Sequence, residues 1–434
     1  MEQKKKVAFF TLGCKVNTAE TEGMKRLFLQ SDYMTVGESE YADVYIVNTC
    51  TVTSMGDKKS RKMLRRAHAL NPNAIIAAVG CFAQVSPEEA AKIEGVNLVV
   101  GNNMKHHIVE LVENTLKEGP QQVVKERKAL VEFEELPIET YEGHTRAFLK
   151  IQDGCDQFCS YCIIPYARGP ARSRGMAEII EEARNFAARG FKEVVLTGIH
   201  LSSFGTEKHG PGLAELIRKL HEVEGIERIR LGSLEPMFIT TDFISEIKDL
   251  PKLCPHFHLS LQSGSQETLK RMNRKYAPDD YRSIVMALKE QIPNATFTTD
   301  VMVGFPGETD EEFQGSYRFC EEMDFLWIHV FKYSARKGTP AARFTDQVHP
   351  KVKEQRSKNM IDLAESMRAK TFKHYEGQEM TVLMEPFEGS PDNMEGLTPN
   401  YIPVVVRVQN VKSGEILSVR LTGIEGERMR GSLI

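Results

Sequence analysis

The chain has 434 residues, of which 41% are hydrophobic and 27% are charged, and its formal net charge is −4. This length suits two or three domains, and the composition is that of a globular protein with ample apolar material for its cores. No apolar run reaches the ~18 residues of a membrane span, which argues against a helical membrane protein. The short apolar run after the basic start does not fit a signal peptide, so we expect a cytoplasmic protein with no membrane partner.

The first predicted domain, residues 1–118, alternates strands with amphipathic helices. Its strands are predicted at KVAFFTLG, DVYIVNTC, NAIIAAVGC and NLVVG. Continuous apolar strands separated by helices indicate a parallel sheet that is covered on both faces. The short length of this region favours a flavodoxin-like doubly wound sheet.

Three further segments follow along the chain. Residues 119–143 are polar and are predicted to form an extended linker with room for one short strand. From residue 144 to residue 375 the alternation resumes for six strands, which indicates a partial (β/α)6 barrel that is open on one side. Residues 376–434 are rich in turns and short β patterns, which predicts a small β-barrel. The fold class is therefore α/β with a doubly wound sheet, a partial barrel and a terminal β-barrel.

Most of the eight cysteines are placed in a pattern that indicates chemistry. Cys14, Cys50 and Cys81 each follow a predicted strand of the first sheet, and such strand ends meet at one crevice. In a reducing compartment, clustered cysteines favour a metal or iron–sulfur site over disulfides. The alternative is that each is a small apolar residue at a buried strand end. Cys254 and Cys320 have no such placement, and we interpret them as incidental.

A second group, Cys155, Cys159 and Cys162, has the spacing C-x3-C-x2-C and follows the first predicted barrel strand. Active sites of such barrels gather at that end of the strands. Three thiolates can ligate three irons of a [4Fe–4S] cube and leave the fourth iron open. The alternative is a zinc ion held by these cysteines and a histidine, either His144 or His200.

Two segments are locally basic although the whole chain is acidic. Lys58–Arg66 holds six basic residues and no acid, and Ile163–Gly175 holds three arginines and no acid. Such patches can bind phosphates. The alternative for the first segment is an ordinary solvated helix face.

These motifs together resemble the radical S-adenosylmethionine (radical SAM) superfamily. The three-cysteine motif has an aromatic residue, Tyr161, before its last cysteine. The order of modules resembles the methylthiotransferase branch, and the terminal segment around NYIPVVV is similar to a TRAM domain, an RNA-binding barrel. The resemblance covers essentially the whole chain. The matching stretches include LGCKVN, NTCTVT, GCFAQ, KIQDGCDQFCSYCIIPYARGPARSR, LTGIHLSSFG, SLEP, LSLQSGSQETLKRMNRKY, DVMVGFPGET and YSARKGTPAA.

The resemblance implies an enzyme that installs a methylthio group on an unactivated carbon. LGCKVN and CIIPYARGPARSR are closest to the branch that forms 2-methylthio-N6-threonylcarbamoyladenosine next to the tRNA anticodon. The neighbouring alternatives are isopentenyladenosine in tRNA and an aspartate of a ribosomal protein. A remote alternative is a non-catalytic RNA-binding protein that contains zinc.

The resemblance also implies the cofactors, partners and site residues. It implies two [4Fe–4S] clusters, S-adenosylmethionine as methyl donor and radical source, and an electron donor such as flavodoxin or ferredoxin. The anticodon loop of tRNA would be the substrate, and its phosphates would meet Arg168, Arg172 and Arg174. Contacts to S-adenosylmethionine are expected from Tyr161, Thr197, Gly198, Glu235, Ser260, Gln262 and Asp300.

Overall fold

The computed structural model describes residues 4–434 apart from 209, 211, 388–391 and 409. The first unit is built on six parallel strands in the order β2-β1-β3-β4-β5-β6. Its strands are β1 (Lys6–Thr11), β2 (Met34–Val36), β3 (Val44–Thr49), β4 (Ile75–Gly80), β5 (Val96–Val100) and β6 (Gln121–Val123). Its helices are α1 (Lys15–Gln30), α2 (Ser54–Leu70), α3 (Cys81–Val85), α4 (Pro87–Ala91) and α5 (Ile108–Glu118).

This sheet confirms the predicted doubly wound architecture. Every residue of β3 and β4 is buried, as expected for strands that are covered on both faces. Apart from the added edge strand β6, the strand order is the flavodoxin order. Sequence reasoning missed the edge strand β2, because three residues are too few to show a strand period. The other edge strand, β6, is the short strand for which residues 119–143 had room.

The segment predicted as a linker, residues 119–143, is packed against both neighbouring domains rather than extended between them. It contributes β6 to the first sheet, and its Tyr141 packs against Phe148 in the core of the second domain. The Glu134 carboxylate accepts hydrogen bonds from the backbone N–H groups of Asn103 and His106. Its buried apolar residues stand singly among charged ones, so they form no period that a sequence reading could detect.

The second unit has six parallel strands in two sheets, with a short hairpin between the first two. Its strands are β7 (Arg146–Lys150), β8 (Gln152–Asp153), β9 (Arg172–Ser173), β10 (Glu193–Thr197), β11 (Arg228–Leu231), β12 (His256–His258), β13 (Thr296–Val303) and β14 (Trp327–Lys332). Its helices are α6 (Ile164–Arg168), α7 (Met176–Ala188), α8 (Leu213–His221), α9 (Thr241–Ile247), α10 (Gln266–Arg271), α11 (Pro278–Gln291), α12 (Asp310–Met323) and α13 (Pro350–Tyr375).

The pairing of these strands confirms the partial barrel. One sheet has the order β11-β10-β7 and the other β12-β13-β14, and all pairs are parallel. Single parallel bridges from Ile229 to Leu253 and from Leu234 to Leu259 join the two sheets. The strands therefore follow one another in chain order, and one apolar core lies between them and their helices.

The third unit is a closed barrel in the order β15-β16-β17-β19-β18, as predicted. Its strands are β15 (Glu379–Pro386), β16 (Asn393–Leu397), β17 (Pro403–Arg407), β18 (Ile416–Glu425) and β19 (Arg428–Leu433). Arg230 on β11 ties the barrel to the second unit, because its guanidinium donates to the carbonyl oxygens of Thr398 and Pro399. Among the described residues, no helix is both long enough and apolar enough to cross a membrane.

Candidate active site

The first candidate group, which we call the upstream triad, consists of Cys14, Cys50 and Cys81. Each follows one of three adjacent parallel strands (β1, β3 and β4), so all three lie at one edge of the first sheet. Cys14 is the N-cap residue of α1, and Cys81 is the first residue of α3. A side chain at Gly13, whose φ is +105°, would place its Cβ 3.1 Å from the Cys50 Sγ. The loops that carry Cys14 and Cys50 therefore meet at a cradle with room only for glycine.

Hydrogen bonds hold the loops of the upstream triad. The Asn17 side-chain amide donates to the carbonyl of Leu12 at 2.6 Å and to that of Thr49 at 3.1 Å. The Ser60 hydroxyl donates to the carbonyl of Cys50 at 3.0 Å. Burial raises the pKa of Cys50 to about 11, and the neighbouring thiols add to this effect. Three thiols close enough to influence one another are what a metal cluster requires.

The second group, which we call the downstream triad, consists of Cys155, Cys159 and Cys162 in the loop between β8 and α6. The Cys155 N–H donates to the carbonyl of Gly169 at 3.0 Å, and the Cys162 N–H donates to that of Cys159 at 3.0 Å. Burial raises the pKa of Cys155 to about 11 and that of Cys162 to about 12. Metal ions are bound by the thiolate form of cysteine, so ligation at this loop would release protons from the thiols.

A zinc ion at the downstream triad would need a histidine as its fourth ligand, either His144 or His200. In a cluster each cysteine ligates a different iron, so the sulfurs stand further apart than the ligands of one tetrahedral ion. Within the described ranges, no three His, Cys, Asp or Glu side chains are close enough to hold one metal ion. His144 packs on the rings of Tyr141 and Phe148 ahead of β7, at the opposite end of that strand from the triad. His144 is therefore not placed to complete a zinc site with these cysteines.

Arg274, which sequence reasoning missed, connects the downstream triad to two of the expected cofactor contacts. Its Nη1 lies 3.4 Å from the Sγ of Cys159, and its Nη2 donates to Glu235 at 2.7 Å and to the carbonyl of Ser260 at 3.2 Å. Burial raises the pKa of Glu235, although Arg274 counteracts the shift. Arg274 lies in the motif LSLQSGSQETLKRMNRKY, but only the tertiary structure shows that its guanidinium reaches Cys159.

The other expected contacts lie at or near the same ends of the strands. Thr197 ends β10 and Gly198 follows it, while the ring of Tyr161 lies against that of Phe305. The Gln262 N–H donates to the carbonyl of Asp300 at 2.8 Å. Asp300 is not at a strand end as expected but inside β13, because that strand continues to Val303. Whether these residues contact S-adenosylmethionine stays a prediction.

The two triads are connected by a buried set of charged side chains, which we call the interdomain charge network. The Glu20 carboxylate pairs with cations from both domains, Lys105 from the first and Lys150 and Arg168 from the second. Burial alone would raise the pKa of Glu20, but these cations outweigh it and hold the pKa well below its usual value. The Asp153 carboxylate pairs with Lys150, Arg168 and Arg172 of its own domain. The members of the network are Glu20, Lys105, Glu134, Lys150, Asp153, Arg168 and Arg172.

This network corrects the expected role of the three arginines that follow the downstream triad. Arg168 and Arg172 are buried, and both contact Asp153. Arg174 is also buried, and it pairs with Glu182 and Glu135. Guanidinium groups that face inward and bind carboxylates are not presented to the phosphates of an RNA. Sequence reasoning assigned them to the surface because arginine is rarely buried unless it is paired.

The basic surface near the site lies instead on α2. Lys58, Lys59, Lys62 and Arg65 are exposed on this helix. The beginning of α2 contacts the loop after β14, where the Arg336 guanidinium donates to the Asp57 carboxylate at 2.9 Å. The exposed basic face therefore starts at the junction of the two domains, one short loop after Cys50.

The partial barrel and the cysteine loop after its first strand define the class of radical SAM proteins. A family model described as "Radical SAM superfamily" matches residues 149–320, and one described as "Uncharacterized protein family UPF0004" matches residues 6–101. A solved radical SAM methyltransferase, TsrM from Kitasatospora setae, shares the fold with a TM-score of 0.59 at 13% identity, over 78% of this chain and 75% of that one.

Relatives that match nearly the whole chain identify a family within the radical SAM class. The chain is 41% identical to threonylcarbamoyladenosine tRNA methylthiotransferase MtaB of Bacillus subtilis, over 96% of this chain and 93% of that protein. It is 34% identical to tRNA-2-methylthio-N(6)-dimethylallyladenosine synthase of Clostridium tetani, over 99% of this chain and 98% of that protein. This chain belongs to the methylthiotransferase family of radical SAM enzymes. Its cofactors are two [4Fe–4S] clusters and S-adenosylmethionine.

Proposed function

We propose that this protein methylthiolates C2 of N6-threonylcarbamoyladenosine next to the anticodon of tRNA. The observation that carries the proposal is the presence of two cysteine triads on two domains, joined by one buried charge network. Two separate triads supply the two clusters that sulfur insertion by this family needs. The relative named for threonylcarbamoyladenosine is also more similar to this chain than the one named for dimethylallyladenosine.

In this proposal the two triads have different roles. The downstream triad holds the cluster that binds S-adenosylmethionine, and when bound this pair supplies the radical chemistry that an inert C–H bond demands. Arg274 orients the site by holding Glu235 and the Ser260 carbonyl beside Cys159. The upstream triad holds the cluster associated with sulfur. No side-chain base is required, because the C2 proton is scarcely acidic.

The substrate would approach at the junction of the domains. The exposed basic face of α2 and the terminal β-barrel are the surfaces that we assign to tRNA phosphates. Bases of a single-stranded loop can be splayed out and inserted into a protein site, which suits a nucleoside beside the anticodon. An external electron donor such as flavodoxin or ferredoxin would reduce the downstream cluster.

The test is nucleoside mass spectrometry of tRNA from a deletion strain complemented with variants. Wild type should restore 2-methylthio-N6-threonylcarbamoyladenosine, whereas Cys14→Ala and Cys155→Ala should leave the unthiolated nucleoside. The matched control is Cys320→Ala, since Cys320 is buried in α12 and outside both triads. Restoration of the isopentenyl product instead would assign the enzyme to the other tRNA branch. Persistence of the thiolated nucleoside in the deletion strain would refute action on tRNA.

A further inference from the structure

The guanidinium of Arg168 contacts one cysteine of the upstream triad although Arg168 belongs to the other domain. Its Nε donates to the Sγ of Cys81 at 3.1 Å. Its Nη2 donates to the Oδ1 of Asn17 at 2.5 Å, and its Nη1 donates to Glu20 at 2.5 Å. The side chain is fully buried. A buried guanidinium is tolerated only when its donors are used, and here one of its acceptors is a sulfur of the upstream triad.

Asn17 extends this contact to the other two cysteines. Its amide donates to the carbonyls of Leu12 and Thr49, which lie directly ahead of the loops that carry Cys14 and Cys50. Arg168 in turn binds the oxygen of the same Asn17 amide. The Arg168 guanidinium from the second domain thus contacts Cys81 directly. Through Asn17 it also supports the loops that carry Cys14 and Cys50.

On its other side, Arg168 contacts the loop of the downstream triad. Its Nη1 lies 3.4 Å from Asp153, whose carboxylate accepts from the Gly154 N–H at 2.8 Å. Gly154 is the residue before Cys155, and its φ of +74° and the nearby Pro170 carbonyl leave no space for a side chain. Arg168 therefore touches the supports of both triads.

The charges of the network are not balanced by its carboxylates alone. Four cations (Lys105, Lys150, Arg168 and Arg172) face three carboxylates, those of Glu20, Glu134 and Asp153. Among the described residues, Arg168 is the cation of this network whose guanidinium also donates to a cysteine sulfur, that of Cys81. A thiolate ligated to a cluster would supply the balancing negative charge.

We propose that Arg168 is a positioning residue that completes the upstream cluster site from the second domain, by a charged N–H···S bond to Cys81. Donors to the sulfurs of a cluster and nearby charge set its reduction potential. Arg168 therefore holds the potential of the upstream cluster higher than its cysteines alone would. The inference rests on the proposed function, because it requires that the upstream triad holds a cluster.

The test is an EPR-monitored redox titration of the full chain in a Cys155→Ala/Cys159→Ala/Cys162→Ala background. This background removes the downstream cluster, and with it the contact that Arg274 makes to Cys159. The parent should bind about four irons after anaerobic reconstitution. Arg168→Gln should shift the midpoint potential to a more negative value, while Arg168→Lys, which keeps the charge with fewer donors, should shift it less. The matched control is Arg230→Gln, a buried interdomain arginine that contacts Glu193 instead of a triad.

A second measurement does not depend on the stability of the variants. In parent protein labelled with 15N-arginine, pulsed EPR of the reduced upstream cluster should detect a 15N coupling from the guanidinium of Arg168. Two outcomes would overturn the inference and leave the proposed function intact. One is a parent that binds iron but shows no 15N coupling, and the other is an equal midpoint potential of the upstream cluster in Arg168→Gln and in the parent. Failure of the parent to bind iron would overturn both.

Discussion

Gly13 shows how a single residue can determine whether the upstream site forms. Its φ of +105° is unfavourable for any residue with a Cβ, and the space beside it is occupied by Cys50. Asn17 fills the other side of the same cradle, since its amide nitrogen lies 3.2 Å from a Cβ placed on Gly13. Strain and steric exclusion therefore coincide at the residue that precedes Cys14.

We predict that Gly13→Ala loses iron from the upstream site, because the added methyl group displaces the Cys50 thiol. The matched control is Gly190→Ala, where φ is +89° but no atom lies within 4 Å of the added Cβ. Both variants should lose about 1–2 kcal/mol of stability from backbone strain. Only Gly13→Ala should fall to about half of the wild-type iron. Equal iron content in the two variants, measured after reconstitution, would contradict this assignment.

At the scale of elements, strands β10 and β11 also hold the terminal β-barrel against the second unit. Glu193 on β10 is fully buried and pairs with Arg230 on β11 at 2.7 Å. Arg228, also on β11, donates to the carbonyl of Leu397 at 2.9 Å. Burial alone would raise the pKa of Glu193, but the surrounding arginines outweigh it and hold the pKa below its usual value.

We predict that Glu193→Gln destabilises the protein at pH 7 by about 3–5 kcal/mol, because it leaves a buried arginine without its counter-charge. A carboxyl group with a lowered pKa stabilises the fold above its unfolded-state pKa, and this contribution is lost as the pH falls through the folded value. The difference between wild type and variant should therefore shrink as the pH falls below about 4.3. Thermal unfolding at several pH values measures it.

The control for this prediction is Glu322→Gln, which removes a carboxylate that also pairs with an arginine, Arg282, but at the surface. Exposed ion pairs contribute little to folding stability, so Glu322→Gln should lose much less stability than Glu193→Gln. A comparable loss in both variants would show that burial of the Glu193 pair is not the cause.

At the scale of the whole molecule, the domain junction brings the two triads, the charge network and the basic face of α2 into one region. The loop after β14 reaches the first domain through Arg336, and the segment 119–143 packs on both domains. The exposed lysines of α2 consequently lie on an element that contacts the second domain, which carries the downstream triad.

We predict that Lys59→Glu/Lys62→Glu weakens tRNA binding and flattens its dependence on salt, because fewer counterions are released when fewer phosphates are contacted. Each lost phosphate contact should lower the slope of log K against log salt by about 1. The matched control is Arg218→Glu/Lys219→Glu, which reverses two exposed charges on α8, away from the junction. Filter binding over a range of salt concentrations measures both. Identical slopes for the two variants would remove α2 from the interface.

The sequence predicted most of the architecture, because the apolar period of each element and the turn residues that follow each strand are local signals. The six cysteines at strand ends were found in the same way, since parallel strands bring their carboxyl ends to one edge. The short edge strand β2 and the packing of segment 119–143 against both domains were missed, because so few buried residues show no period.

The arginines mark the boundary between what the sequence by itself determined and what only the tertiary structure decided. A basic segment after a cysteine motif has the same composition whether its side chains meet RNA or carboxylates. Arg168 is buried because Glu20, which is 148 residues away, meets it when the two domains pack together, beside Asp153 of its own domain. Whether a charge is paired depends on partners that folding brings from elsewhere in the chain, so no local pattern can encode it.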